Sequence, residues 1–501
     1  MKKGPRLLVS TVIFLIILAG AVFAAMLVTE RKSSYEKNAS FFQEAKADHL
    51  DVLFIGSSHV INGINPLVLY ENYGITSYNL GGHGSLLQES YWQLIRALQY
   101  CKPDYVVVDA YMLEKNYKYL DKCYEDTPED ERKTSIEQLH LNMDAYPLSR
   151  LKIAAINDLI EDKDIRNQFL FNFIVYHDRW KELEGSDFKR LTGTMNTNSA
   201  MGAEMRYLVK TDVDEYPQCE EGQVLDEHTV GEEYLMKIID ECQRDGIGIL
   251  VTYLPFSAET KDQIAANTAE AVAERYGVPC INMLKEDGII DEATDLNDHG
   301  HLNVNGATKV TNRIGEWFSQ NADLADHRGD GDYSKWDELA ADFHEELDDM
   351  LLSGNDIRCE LNLLMRDDVS SIVYVNTESE AFHDEGIKHL ISRLSGTDGI
   401  EMASATEGPY ILIKDAAYGK YEACGMETIE NAATAMGELT YIPIEKNFRL
   451  LYPSSDEEVN YLYDDTHYDE DIQILIYDNN SGEILTHLYY EPEQTEYVST
   501  K

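Results

Sequence analysis

Residues 7–28 are apolar apart from Ser10, Thr11 and Gly20. A run of this composition has one stable form in hydrocarbon, a helix, because every backbone N–H and C=O must be paired within the segment. It is long enough to cross a hydrocarbon core of ~30 Å. Lys2, Lys3 and Arg6 precede the run, and Arg31 and Lys32 follow it. The positive excess at the start predicts a single-pass cell-membrane anchor with its N-terminus inside and the chain after residue 30 extracytoplasmic. A cleaved signal peptide, with Val22, Phe23 and Ala24 as its cleavage site, would instead give a secreted protein. The anchor is preferred because the apolar run continues past that site through Met26, Leu27 and Val28.

A chain of 501 residues exceeds the size of one hydrophobic core, which predicts two domains plus the appendage. Its 91 acidic against 42 basic residues give a net charge of −49. Such a field disfavours contact with phosphate backbones and anionic surfaces, so nucleic acid is not an expected partner. The acids are scattered, as on a solvated surface. Their densest stretch, residues 125–131, reads as an exposed loop. Seven cysteines show no C-x-x-C pair and no zinc-like spacing with histidine, so no metal site on thiolates and no cofactor is expected.

From residue 51, short β-branched runs alternate with amphipathic helical stretches, the pattern of a parallel sheet covered by helices on both faces. Strands are expected at residues 51–55, 75–80, 105–109, 247–253 and 279–283, with helices at 88–98 and 232–242. Residues 114–230 interrupt this order with helix-like segments rich in Tyr, Phe and Asp, including 149–160 and 168–180, and read as a helical insertion. A stretch rich in Asp, Gly and His at 325–332 closes this region, and an acidic helix over 335–352 follows. Beyond it, strand-like runs at 371–375, 410–414, 439–444, 472–477 and 484–490 and a helix at 385–394 predict a small α+β domain. Asn479, Asn480, Ser481 and Gly482 mark a hairpin turn. The expected division is an N-terminal tip and anchor over 1–30, an α/β domain over 45–325 with its insertion at 114–230, and an α+β domain over 335–501.

Three groups of residues carry chemistry. The first strand ends in Gly56, Ser57, Ser58 and His59, at the edge where open α/β sheets bind ligands. A serine there serves equally as a helix N-cap. The second strand ends in Asn79, Leu80, Gly81, Gly82, His83 and Gly84, where glycines let backbone N–H groups approach an anion or simply close a tight loop. Just before the last helix of the region stand Asp295, Asp298, His299, His301, Asn303 and Gly306. An Asp three residues before a His orients the imidazole through its Nδ1 proton, leaving Nε2 as a general base toward a serine. Asp298 has that spacing to His301, with Asp295 as the alternative orienter. Asp295, Asp298, His299 and His301 also have the residue types of a metal site. A metal would leave the serine and the glycine loop without a role, so none is assigned.

The order G-x-S, then N-x-G-x-x-G, then D-x-x-H-x-N-x-x-G resembles the SGNH, or GDSL-type, hydrolases over residues 50–320. The resemblance implies a flavodoxin-like three-layer α/β fold with Ser58 as nucleophile and Asp298 and His301 completing a triad. It also implies an oxyanion hole from the N–H groups of Ser58 and Gly81, with Asn79 and Gly84 in the same substrate-binding loop. The chain departs from the family at Asp109, Ala110, Tyr111 and Met112, where G-x-N-D is expected, which removes an asparagine donor. Losing one oxyanion donor costs ~10²- to 10³-fold in rate.

The departure, with the membrane helix, is similar to the exported branch that includes the teichoic acid D-alanine transfer protein and the alginate O-acetyltransferases. That likeness implies an extracytoplasmic serine esterase or O-acyltransferase acting on acyl esters of envelope or extracellular carbohydrate. Its partners would be an acylated polymer and a membrane-bound O-acyltransferase. The alternative is a non-catalytic SGNH-like envelope protein that binds a polymer or that acyltransferase. Phe169, Phe171, Phe173, Tyr176 and Trp180 form either a lid over the site or the insertion's own core. Residues 372–375, 410–413 and 474–478 are similar, in permuted order, to the interleukin-like domain of certain secreted proteins, which implies a glycan- or protein-binding accessory module.

Overall fold

The computed structural model describes residues 3–30, 41–47, 49–116, 128–144, 146, 148–191, 200–210, 214, 216–352, 357–366, 368–376, 385–406, 409–443, 447–451, 458–460, 472–491 and 496–500. Lys3–Thr29 form one helix, of which Leu8–Thr29 is long and apolar enough to cross a membrane.

Strands β1 (Val52–Ile55), β2 (Ser77–Asn79), β3 (Tyr105–Asp109), β4 (Gly248–Tyr253) and β5 (Cys280–Asn282) form a wholly parallel sheet in the order β2-β1-β3-β4-β5. Val52 lies opposite Ser77 on one side and Tyr105 on the other. Parallel neighbours need crossovers, and helices supply them. Because successive strand residues point to opposite faces, Leu53, Ile55, Val106, Val108 and Val251 share one core with Leu94, Ile238 and Ala269. Those partners lie on helices Leu87–Ala97, Val230–Asp245 and Thr260–Tyr276. Val52, Phe54, Val107 and Leu250 face Leu69, Val310 and Ile314 from helices Pro66–Tyr73 and Val304–Asn321. With both faces buried, the strands need no polar side, which is why they read as continuous apolar runs.

The insertion between β3 and helix Val230–Asp245 has a core of its own, in which Leu139, Met143, Ile156 and Phe169 meet. Its helices are Glu129–Met143, Arg150–Leu159 and Lys163–Leu170. The helix expected at 168–180 is broken after Leu170 and resumes as two short pieces, Phe173–Tyr176 and His177–Lys181. Of the acidic stretch 125–131, residues 125–127 lie outside the described residues, and Glu129, Asp130 and Glu131 open a helix instead of a loop.

Helix Ser334–Leu352 straddles two cores. Trp336 and Phe343 pack with the parallel sheet's core, and Leu351 packs with the cluster that follows. Trp336 is fully buried beside Tyr70, whose hydroxyl donates to Asp337 Oδ1 at 2.8 Å.

Beyond it, β6 (Val369–Val375), β7 (Tyr410–Asp415), β8 (Gly419–Cys424), β13 (Ile472–Asp478), β14 (Ile484–Glu491) and β15 (Glu496–Thr500) form an antiparallel sheet in the order β15-β14-β13-β6-β7-β8. Helices Glu385–Ser395 and Gly399–Thr406 cover one face through Leu390, Ile391 and Ile400. On the other face Ile372, Ile411 and Leu475 meet Leu439 and Tyr441 of a second sheet. That sheet runs β12 (Glu458–Asn460), β11 (Asn447–Leu451), β10 (Gly437–Ile442) and β9 (Ile429–Thr434). The sequence pattern anticipated β6, β7, β10, β13 and β14 but missed β8, β9, β11, β12 and β15; β8 and β9 are only partly buried and carry no continuous apolar run. Residue 444, expected to end β10, lies outside the described residues. Asn479 to Gly482 do form the turn between β13 and β14, where Asp478 Oδ1 accepts the N–H groups of Asn480 and Ser481. Cys101, Cys219, Cys242, Cys280, Cys359 and Cys424 are free thiols, and Cys123 lies outside the described residues.

Since Trp336 fills the seam between helix and sheet, Trp336→Ala is expected to lower the unfolding free energy by about 3–5 kcal/mol. Urea denaturation of the full chain in detergent measures this; an unchanged midpoint would place the helix outside the cooperative unit.

Candidate active site

β1 ends at Ile55 and the chain turns on Gly56, where φ is 152° and a Cβ would lie 2.6 Å from Val60 Cγ2 and 3.1 Å from Asp109 Cβ. Only glycine fits between the strand end and the helix that follows. Ser57 caps that helix, Ser58–Gly63, its Oγ accepting the His59 N–H at 3.2 Å. The capping role thus falls to Ser57, and Ser58 Oγ turns to the neighbouring cavity, 2.9 Å from His301 Nε2.

His301 Nδ1 lies 2.8 Å from Asp298 Oδ1. The same oxygen accepts the N–H groups of Gly300 at 3.0 Å and His301 at 3.1 Å, while Asn297 Nδ2 donates to Oδ2 at 3.0 Å. Burial pushes the Asp298 carboxyl up, but the hydrogen bond and charge of His301, followed by the other donors, outweigh it and hold the carboxyl well below the usual range. An ionised Asp298 keeps the imidazole proton on Nδ1, so Nε2 presents its lone pair to Ser58. Asn303 shapes this loop. Its Oδ1 accepts from Asn305 and Gly306, capping helix Val304–Asn321, and its Nδ2 donates to Thr294 O at 2.8 Å.

Asp295 does not reach His301; it is buried and paired with Lys309 at 2.5 Å. His299 Nδ1 faces Asp214 at 2.7 Å. Asp295, Asp298, His299 and His301 therefore form no single ligand set. Among the described residues no group of three or more metal-ligating side chains occurs.

The glycine loop departs from expectation. Asn79 is fully buried and its amide is consumed by backbone: Nδ2 donates to Val60 O at 2.6 Å and Ile64 O at 2.9 Å, and Oδ1 accepts the Gly81 N–H at 3.1 Å. Neither Asn79 nor the Gly81 N–H is aimed at the cavity, because the carbonyls ending helix Ser58–Gly63 need donors. Gly84 does line the cavity; its φ is 57°, and a Cβ would lie 2.3 Å from Gln138 Oε1.

At the divergent third block, Tyr111 stacks on His59 with ring centroids 3.7 Å apart. Burial, and then the charge of His301, push the His59 imidazole down to about 3, so it is neutral. Asp109 is buried beneath them and accepts the Leu254 N–H at 2.9 Å, yet burial raises its carboxyl to about 7. The Ser58 N–H has no acceptor among the described residues.

The cavity holds about 430 Å³ and opens on Ser58 and His301. Its wall includes Lys115 and Arg206 and no carboxylate. The sequence motifs include neither cation: Lys115 follows the divergent third block by three residues, and Arg206 is brought in by chain far from the motifs. The insertion contributes Ser135 and Gln138. The aromatics considered for a lid are elsewhere: Phe169 stacks on His140 in the insertion's core, Tyr176 donates to Asp144 at 2.6 Å, and Phe173 and Trp180 adjoin the N-terminal helix. Phe171 is exposed and does not line the cavity.

Asp109 makes stability depend on pH. Below about pH 4 the folded and unfolded chains both hold its proton; between about 4 and about 7 the unfolded chain ionises while the folded one does not, so stability falls as pH rises. Asp109→Asn is expected to reduce the drop in urea midpoint across that window, and an unchanged drop would mean that Asp109 ionises freely. Neither a protein-family model nor a curated protein matches this chain.

Proposed function

We propose that the chain is a serine esterase or O-acyltransferase of the SGNH type, extracytoplasmic and held at the cell membrane by its N-terminal helix. The observation that carries this reading is the continuous relay from Asp298 through His301 to Ser58, at 2.8 and 2.9 Å, facing a cavity. It stands at the C-terminal edge of a sheet whose strand order is that of flavodoxin-like folds, as the SGNH resemblance implies. The basic residues ahead of the apolar helix support an inside N-terminus.

In this mechanism Ser58 Oγ attacks the ester carbonyl carbon while His301 Nε2 takes its proton. The tetrahedral oxyanion is met by the Ser58 N–H. The bond to the leaving oxygen then breaks, and His301 returns the proton to the departing alcohol. Water or a sugar hydroxyl next attacks the acyl-Ser58 carbonyl, giving its proton to His301, and Ser58 leaves with that proton. With the Gly81 N–H bound to Asn79 and Tyr111 in place of the asparagine, the oxyanion is short of donors, which points to a slow enzyme.

Arg206 in the wall, beside Lys115 whose ammonium pairs with Glu114 at 2.7 Å, favours a carbohydrate substrate that carries negative charge, although the chain as a whole is strongly acidic. A membrane-bound O-acyltransferase would be the acyl source. Among the described residues none after His301 lines the cavity, so we read residues 335–501 as an accessory module. The same shortage of donors favours a second reading, a binding protein with no turnover.

Labelling with an active-site-directed fluorophosphonate separates the two, since only a reactive serine is modified. Ser58→Ala is expected to abolish labelling and lower esterase activity by about 10⁴- to 10⁶-fold with folding unchanged, whereas Ser57→Ala keeps labelling and loses only a helix cap. An unlabelled wild-type chain would favour the binding protein. Transfer is expected to exceed hydrolysis: adding an anionic oligosaccharide should speed consumption of an acetyl ester and yield acetylated sugar by mass spectrometry. Free acid alone, at an unchanged rate, would establish a plain esterase.

A further inference from the structure

The N-terminal helix does not leave the fold by itself. An apolar cavity of about 470 Å³ lies between Ala24, Ala25 and Val28 of that helix and Phe173, Trp180 and Phe188 of the insertion. Polar bonds lock the two together. The Arg179 guanidinium donates to the main-chain oxygens of Thr29, at 2.8 Å, and Glu30, and pairs with the buried Asp187 at 3.3 Å. Asn172 Nδ2 donates to Glu30 Oε1 at 3.1 Å.

Around the cavity the insertion turns large apolar side chains outward: Phe171 is 54% exposed, Ile174 56%, Trp180 65% and Phe188 50%. Several large apolar side chains exposed within one short stretch mark an interaction surface. The helix says what covers it. At 1.5 Å per residue, Leu8–Thr29 spans about 33 Å, close to the full thickness of a bilayer's hydrocarbon. Ala24 to Thr29 then occupy the last ~8 Å of that thickness, and the insertion side chains touching them share that depth. Interfacial segments embed their apolar faces by about 5–10 Å. Lys181 Nζ lies 5.8 Å above the Trp180 ring, the pairing of an amphipathic aromatic and a snorkelling cation that suits the headgroup layer.

We infer that residues 171–191 form a membrane-seating foot whose outward apolar side chains sink into the outer leaflet beside the anchor, with lipid hydrocarbon filling the cavity between them. The inference rests on the reading of the N-terminal helix as a membrane anchor. It has a consequence for the site. The foot is tied through Tyr176 and Asp144 to His140, on the same helix as Ser135 and Gln138 of the Ser58 cavity. The cavity is therefore carried at a set tilt over the bilayer instead of on a swivelling tether.

The test uses the full chain in phosphatidylcholine and phosphatidylglycerol vesicles, with part of the phosphatidylcholine brominated on its acyl chains. Of the other tryptophans, Trp336 is buried and Trp92 and Trp317 are half-buried in the folded part, so Trp180→Phe isolates the foot's contribution to fluorescence. Brominated lipid is expected to quench the wild type and to lose that component in Trp180→Phe, while aqueous iodide quenches both alike. Resistance to alkaline carbonate extraction, measured in parallel, reports on the anchor. A carbonate-resistant chain whose Trp180 component responds to iodide and not to brominated lipid would put the foot in water. A Trp180 component shielded from both quenchers would put protein, such as a second copy, over the patch. Either result overturns the inference and leaves the anchor standing. Release of the wild type by carbonate would remove the anchor and the inference with it.

Discussion

The geometry around Ser58 depends on one buried amide. Asn79 has no exposed surface, and its three hydrogen bonds join the end of β2 to the carbonyls that close helix Ser58–Gly63 and to the N–H of Gly81. Leaving such groups unpaired in the interior costs about 1–3 kcal/mol each. The loop must also come very close, for a Cβ on Gly81 would lie 2.8 Å from Ser57 O. The two motif loops are thus one packed unit, and the second acts as scaffold for the first.

The insertion clamps the same unit from the other side. Asn142 accepts the His83 N–H and donates to the His83 carbonyl, both at 2.9 Å, so the glycine loop is held between helix Ser58–Gly63 and helix Glu129–Met143. Behind the clamp lies Glu89, whose carboxyl burial raises to about 8. Burial also raises Asp109, to about 7, and lowers His59 to about 3, so the groups packed behind the cavity are all shifted toward their neutral forms. Asp298, supplied with donors, is the exception. Charge is thereby concentrated at the one carboxylate that orients His301.

The insertion packs against the N-terminal helix at one end and supplies wall to the Ser58 cavity at the other, from one core. The aromatic residues of the insertion serve its own packing and the surface beside the N-terminal helix, and the cavity wall combines polar side chains and two cations with Leu86, Tyr111 and Met112.

What the sequence by itself determined is local. The apolar run at 7–28, the alternation that builds the parallel sheet, and the Asp-x-x-His spacing from Asp298 to His301 all express backbone periodicities and neighbour geometry within a few residues. What only the tertiary structure decided is which polar group finds which distant partner. Ser57 and Ser58 are alike in sequence, and one became a cap and the other faced His301 because of where the helix begins. Asn79 and Asp295 had their roles reassigned by partners at Val60 and Lys309, and of the aromatics at 169–180 Phe169 joined the insertion's core while Phe173 and Trp180 met the N-terminal helix. β8 and β9 escaped notice because a partly buried strand needs little apolar patterning and takes its register from its neighbours. Hydrogen-bond demand and close packing are satisfied across the whole fold, so a residue's chemical type constrains what it can do, and the surroundings that folding brings to it choose among the possibilities.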